Sequence, residues 1–258
     1  MVTSYRYRPY RFDWRQWLTP AIKTLLIANT AIYFLEVVVR QLGGRGAEFA
    51  IFRWLGLVPW EFVHGWLWQP FTYLFLHGNF WHLFWNMLFL WMFGVDLERQ
   101  WGKRRFYFYY FLTGAGAGLF TVLVKILMDP HGTSSSIIPT IGASGSVYGV
   151  IVAAALLFPN RELWLFPFPI SIPMKVYAII MGAIEFFGTI GATGDNVAHV
   201  THLSAIFIGW FYLRRSSLLY RARNRFSDWK VQRNRSRYEA YVRRHSKKPP
   251  SRPDDWVN

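Results

Sequence analysis

The feature that most constrains this chain is a series of apolar runs, each close to the length that crosses a bilayer, with arginine crowded at both ends of the sequence. A hydrocarbon layer takes roughly 20 mostly apolar residues of helix. Such runs are read at Ala21–Val39, Asn79–Val95, Phe106–Leu127, Ala143 to just before Pro159, Met174–Ile190 and Val197–Leu213. With 53% hydrophobic and only 17% charged residues, a water-soluble fold would expose large apolar patches. A bilayer removes that difficulty, provided each segment satisfies its own backbone as a helix. The expected fold is all-α: a polytopic membrane protein with six transmembrane helices.

Charge organises the rest. A short basic N-terminal segment (1–19) leads into a membrane domain (20–213), and a basic tail (214–258) follows. Arg6, Arg8, Arg11 and Arg15 precede the first run, Arg99 and Lys103 to Arg105 separate the second and third, and the tail is rich in Lys and Arg. The positive-inside rule then places both termini in the cytoplasm, with the cell inner membrane as location. The net charge of +15 admits a nucleic-acid reading, but the basic residues sit where membrane flanks want them, so no nucleic-acid partner is expected. The first twenty residues lack the apolar core and cleavage site of a signal peptide, so the first run is expected to be retained.

Residues 41–77 form a large first loop, rich in aromatics and broken by Gly43, Gly44, Pro59, Gly65 and Pro70, which reads as structure lying partly in the interface. His64 and His77 are expected to be interfacial. In the tail, Leu219, Ala222, Phe226 and Trp229 recur at helical spacing among arginines, as suits a helix on anionic lipid headgroups; Lys247 to Pro253 reads as disordered.

Polar groups inside the spans point to function, because they are costly in lipid unless used. The second run places His82 and Asn86 on one helical face, the fourth begins Gly142-Ala143-Ser144-Gly145, and the sixth carries His199 and His202 on one face. One shared hydrophilic cavity would serve all three. Ser144 is a candidate nucleophile, which needs a neighbouring base such as His202 or His199. Donors at a helix start, with His82 and Asn86, could hold an oxyanion. No acidic residue is well placed inside the spans to orient the base, with Asp195 in a loop and Glu185 in the fifth run, so a Ser–His dyad is expected rather than a triad. Spacing alone leaves two alternatives open. In a membrane helix a GASG segment is more often a packing motif than a nucleophile site, and His82, Asn86, His199 and His202 could instead be haem ligands, metal ligands or a proton path.

The blocks HGNFWHLFWNMLFLWMFG, GASGSVYG and AHVTHLSAIFIG, in this order and on these spans, resemble the rhomboid family of intramembrane serine proteases. The resemblance covers roughly residues 20 to 213. It implies a six-transmembrane-helix rhomboid-like core, a serine endopeptidase acting on single-span transmembrane protein substrates, and no cofactor or metal. Ser144 matches the nucleophile, His202 the base, and His82 and Asn86 the oxyanion-stabilising residues. Tyr148 matches an aromatic packed beside the base, His77 an additional histidine ahead of the second span, and Glu98 a structural acid; Gly142 and Gly145 flank the nucleophile. Leu203-Ser204-Ala205 stands where Leu-Gly-Gly is usual. The intact Ser–His pair weighs against a non-proteolytic rhomboid-like binding protein.

Packing separates the two histidines independently of the resemblance. His199 follows the polar segment GATGDN and should sit near the aqueous boundary. His202 lies about 4.5 Å deeper, beside the small-xxx-small segment Ala205 to Gly209, expected to press the sixth span against the fourth.

Overall fold

The computed structural model describes residues 17–164, 171–190 and 198–215, together with Tyr238. The N-terminal arginines, Asp195 and the tail segments Leu219 to Trp229 and Lys247 to Pro253 lie outside the described residues. The elements are α1 (Pro20–Leu55), α2 (Pro59–Val63), α3 (Gln69–Thr72), α4 (Phe80–Trp101), α5 (Lys103–Met128), α6 (Ser144–Leu157), β1 (Glu162–Trp164), β2 (Ser171–Pro173), α7 (Met174–Ile190) and α8 (198–215). Residues 1–211 form one unit; 212–258 group as a second, of which 212–215 and Tyr238 are described.

The molecule is an all-α helical bundle associated with a membrane, with α1 and α5 each long and apolar enough to cross one. Its exterior carries Phe34 and Leu35 of α1, Leu123 of α5, Ile179 and Phe187 of α7 and Phe207 of α8, all more than half exposed. Such a belt is stable against lipid and not against water.

The interior is mostly apolar but holds buried polar groups, and hydrogen bonds among them tie helix to helix. Tyr73 Oη donates to the Gly114 carbonyl (2.7 Å), Tyr109 Oη to that of Gly149 (2.8 Å) and Ser146 Oγ to that of Tyr110 (2.8 Å). In lipid, where apolar contact gives no advantage over solvation, such bonds and small residues hold helices together. The α5 glycines fill that role in turn. A Cβ at Gly114 would strike Ser146 and Leu74, and at Gly118 Leu57 and Tyr73; at Gly116 it would press on Ile208 at 3.1 Å. α6 is buried on every side from Gly145 to Ala154 and forms the axis of the bundle.

Two capping devices fix the frame. Glu98, near the end of α4, accepts from Ala21 N (2.8 Å), Ile22 N (3.0 Å) and the Thr19 hydroxyl, so a buried carboxylate closes the N-terminus of α1. Asn79 caps α4 by accepting from His82 N at 2.9 Å. On the loop after α5, the Asp129 carboxylate gathers Thr133 N and Oγ1, Ser134 N, and Ser136 N and Oγ. The polar linker 129–141 is thereby ordered, and Leu57 pairs with Thr140 to bind it to the first loop.

Three features depart from the sequence expectations. The first loop opens as helix: α1 breaks at Gly44 (φ 67°, ψ −168°), runs on to Leu55, and an Arg40–Glu48 ion pair (3.2 Å) bridges the break. Only glycine takes that backbone cheaply, so the turn costs little. The proline-punctuated connection after α6 holds an antiparallel pair, with Leu163 opposite Ile172. Gly209 packs on α5 rather than α6, since a Cβ there would strike Tyr109 and lie 3.4 Å from Thr113 Cγ2. Ala205 is fully buried and clusters with Ala117 of α5 and Tyr148 of α6.

Candidate active site

The site is built where α6 begins. Gly142 takes φ 120°, a backbone that side chains disfavour, and turns the chain into α6 with Ala143 as N-cap and Ser144 as the first helical residue. The first N–H groups of a helix have no acceptor within it. Val147 N is the first in α6 to bond back, to the Ala143 carbonyl at 3.0 Å. Gly145 faces α5 in ordinary contact: a Cβ there would lie 3.4 Å from that of Ala117.

His202 Nε2 lies 2.8 Å from Ser144 Oγ, although the two are 58 positions apart in the chain. The Tyr148 ring stacks on His202, centroids 4.3 Å apart and planes inclined by 20°. Tyr148 follows Ser144 by one helical turn, so α6 presents hydroxyl and ring to the same imidazole. His82 stands on the other side of the turn; a Cβ on Gly142 would meet its Nε2 at 2.7 Å. Asn86 is buried and donates Nδ2–H to the His82 carbonyl at 2.8 Å, which leaves one amide proton for another acceptor.

Two cavities meet at Ser144. One of about 470 Å³ lies under the 129–143 segment and is lined by Tyr73, His82, Lys125, Ser144 and His202. Lys125 is buried there and donates to the Ile138 carbonyl (2.8 Å) and to Thr140 Oγ1 (3.2 Å). The other, of about 380 Å³, opens between α4 and α7 and is lined by Trp81, Trp85, Asn86, Ser144, Tyr148 and Met181. Trp81 and Trp85 at its mouth are exposed.

Two sequence expectations are corrected. His77 is not interfacial: it is buried, its N–H donates to Glu36 at 3.2 Å, and its ring meets His82 edge-on at 5.0 Å. His64 is exposed. Nor does His202, the expected base, lack an acidic neighbour. Glu185 of α7 is buried, takes the Tyr148 hydroxyl on Oε1, and places Oε2 2.6 Å from His199 Nδ1 and 3.1 Å from His202 Nδ1. The second approach is off hydrogen-bond alignment, and His202 Nδ1 makes no hydrogen bond. Sequence reasoning treated Glu185 as isolated because its partners lie 37 residues before and 14 after it. A carboxylate inside a span, one turn before Gly188, was the available signal.

Glu185, His199 and His202 are also the described residues that could together hold a metal ion, with donor atoms within 4.8 Å of one another. The separations of 2.6 and 3.1 Å are those of groups in direct contact, without an ion between them.

The Rhomboid domain profile matches residues 64–216, more than half of the chain. The chain is 37% identical over 141 residues to Rhomboid protein 1, mitochondrial, of Saccharomyces cerevisiae, a stretch covering 53% of this chain and 39% of that protein. It is 28% identical over 194 residues to Rhomboid protease AarA of Providencia stuartii, covering 69% and 66%. Against Rhomboid protease GluP of Bacillus subtilis it is 30% identical over 147 residues, covering 56% and 25%. The chain thus spans less than two thirds of each of these relatives. Two of the three are named as proteases, which supports a protease-like function in general. With its profile match running from the first loop through α8, the chain belongs to the rhomboid family.

Proposed function

We propose that this protein is an intramembrane serine endopeptidase that cleaves single-span transmembrane protein substrates, with Ser144 as nucleophile and His202 as general base. The observation that carries the reading is the 2.8 Å approach of His202 Nε2 to Ser144 Oγ at the junction of two cavities. That is the distance a proton transfer needs.

His202 takes the Ser144 proton as Oγ attacks the scissile carbonyl. The carbonyl oxygen becomes an oxyanion held by His82, by Asn86 and by N–H groups at the start of α6. His202 then returns the proton to the departing amine, the C–N bond breaks, and water releases the acyl group by the same steps in reverse roles. Gly142 and Gly145 let the substrate backbone and α5 come close.

Membrane placement follows from lengths. α6 has 14 residues, about 21 Å of helix, against a hydrocarbon layer of about 30 Å. Its first residue therefore lies below the membrane surface, and the polar cavity under residues 129–143 supplies water from above. The apolar opening between α4 and α7 is the path for a substrate helix arriving from lipid. Six spans, α1, α4, α5, α6, α7 and α8, put both termini in the cytoplasm of a cell with this protein in its inner membrane. The 20–213 membrane domain carries the chemistry, and the basic 214–258 tail rests on anionic headgroups.

The test is cleavage of a model transmembrane substrate by reconstituted protein against Ser144→Ala. Loss of cleavage in the variant supports the reading, and equal cleavage by both ends it.

A further inference from the structure

Glu185 is a carboxylate buried inside the bundle, an expensive placement in a membrane unless the group has work to do. Its surroundings are built around it. Tyr148 reaches Oε1 from α6, and His199 Nδ1 reaches Oε2 from α8 at 2.6 Å. Gly188, one turn along α7, keeps the way open, since a Cβ there would lie 2.5–2.7 Å from the His199 ring. The carboxylate is therefore clamped by two side chains on two helices, with Oε2 aimed at a third. That third group is His202 Nδ1, 3.1 Å away, on the ring whose Nε2 faces Ser144.

We infer that Glu185 is the positioning residue for the His202 base, with Tyr148 and His199 holding the carboxylate in place. The inference rests on the Ser144–His202 reading and adds a third member to it. A carboxylate beside Nδ1 favours the tautomer that carries its hydrogen there, leaving the Nε2 lone pair to accept the Ser144 proton. When that proton arrives, His202 becomes an imidazolium, and the fixed negative charge stabilises it. The proton stays on His202 until the leaving amine takes it, so Glu185 keeps its charge throughout. Tyr148 acts twice, by stacking on the ring and by bonding the carboxylate. The 3.1 Å approach tightens into an aligned hydrogen bond as His202 gains charge.

The experiment compares wild type, Glu185→Gln, Glu185→Asp and Ser144→Ala in liposomes, measuring kcat and KM for a transmembrane substrate. Glu185→Gln keeps size and the Tyr148 contact but loses the charge. Its expected kcat is about 10- to 100-fold below wild type, with KM within about twofold. Glu185→Asp, which keeps the charge one methylene further off, is expected to recover part of kcat. Folded Glu185→Gln with kcat within about twofold of wild type overturns the inference. If the Gln variant does not fold, the Asp variant decides: an unchanged kcat overturns the inference, and a lowered kcat at unchanged KM upholds it. Equal turnover by wild type and Ser144→Ala would instead overturn the serine-protease reading itself, so the two failures are distinguishable.

Discussion

Gly142 is the residue whose replacement tests the site geometry most severely while touching no reacting group. Its φ of 120° lies in the left-handed region, where an alanine costs about 1–3 kcal/mol of backbone strain. The added Cβ would sit 2.7 Å from His82 Nε2 and 2.8 Å from its Cε1. An ordinary contact begins near 3.4 Å, so the ring must retreat by about 0.7 Å or the turn must move. His82 is the proposed oxyanion donor, and loss of one such donor lowers turnover about 10²- to 10³-fold. Gly142→Ala is therefore expected to lose about 1–3 kcal/mol of stability and at least about 100-fold in kcat, with KM little changed. Gly182→Ala on α7 is the control, since the nearest heavy atom to its Cβ is Ile206 Cδ1 at 3.9 Å. Detergent-solubilised variants are assayed by turnover of a transmembrane substrate and by thermal unfolding. Wild-type turnover with an unmoved transition in Gly142→Ala would refute the argument.

Further outcomes follow from the same contacts. His202→Ala should lose turnover by several orders of magnitude, while His199→Ala, which removes a clamp on Glu185 and not the base, should retain a substantial fraction; the reverse ranking in folded proteins would reassign the base. Glu98→Ala strands Ala21 N and Ile22 N in a buried site and should cost about 3–5 kcal/mol, read as a lower unfolding transition, whereas an unmoved transition would show that α1 does not depend on this cap. The Ser136 hydroxyl, followed by the Thr133 N–H, holds the Asp129 carboxyl well below the usual carboxylate range. Its stabilisation is thus complete above the unfolded value of about 4 and is lost only as pH falls through the depressed folded value. Hydrogen exchange of residues 129–137 should therefore show no opening of the loop between about pH 8 and 5 beyond the intrinsic rate change, whereas Asp129→Asn should be open throughout; opening of the wild-type loop near pH 5 would contradict this.

How far the sequence spoke depended on whether a feature was local. α7 begins and ends where the apolar run does, at Met174 and Ile190, because Pro173 stops the preceding strand and hydropathy alone defines the helix. The start of α6 at Ser144 was equally legible, since glycines before and after a small-residue run leave little choice of register. The continuation of α1 past Gly44 was not, because a glycine pair reads as an end whether the helix stops or merely bends. The β1–β2 pair was masked by its prolines: three-residue strands leave almost no periodicity to detect. Gly209 was assigned to the wrong neighbour because small residues announce close packing without naming the partner, and Tyr109 and Thr113 of α5 are that partner. Glu185 was the costliest omission. Its meaning comes from docking α7 beside α6 and α8, and no spacing within α7 encodes that Tyr148, His199 and His202 converge on one carboxylate.

The central claim is that Ser144 is a nucleophile activated by His202 inside a membrane bundle. Labelling with a fluorophosphonate probe, followed by mass-spectrometric mapping of the modified residue, tests it most directly. Folded wild-type protein should be labelled at Ser144, Ser144→Ala not at all, and His202→Ala at a rate lower by orders of magnitude. Folded wild-type protein that does not react, or that is modified at another residue while Ser144 stays free, would contradict it.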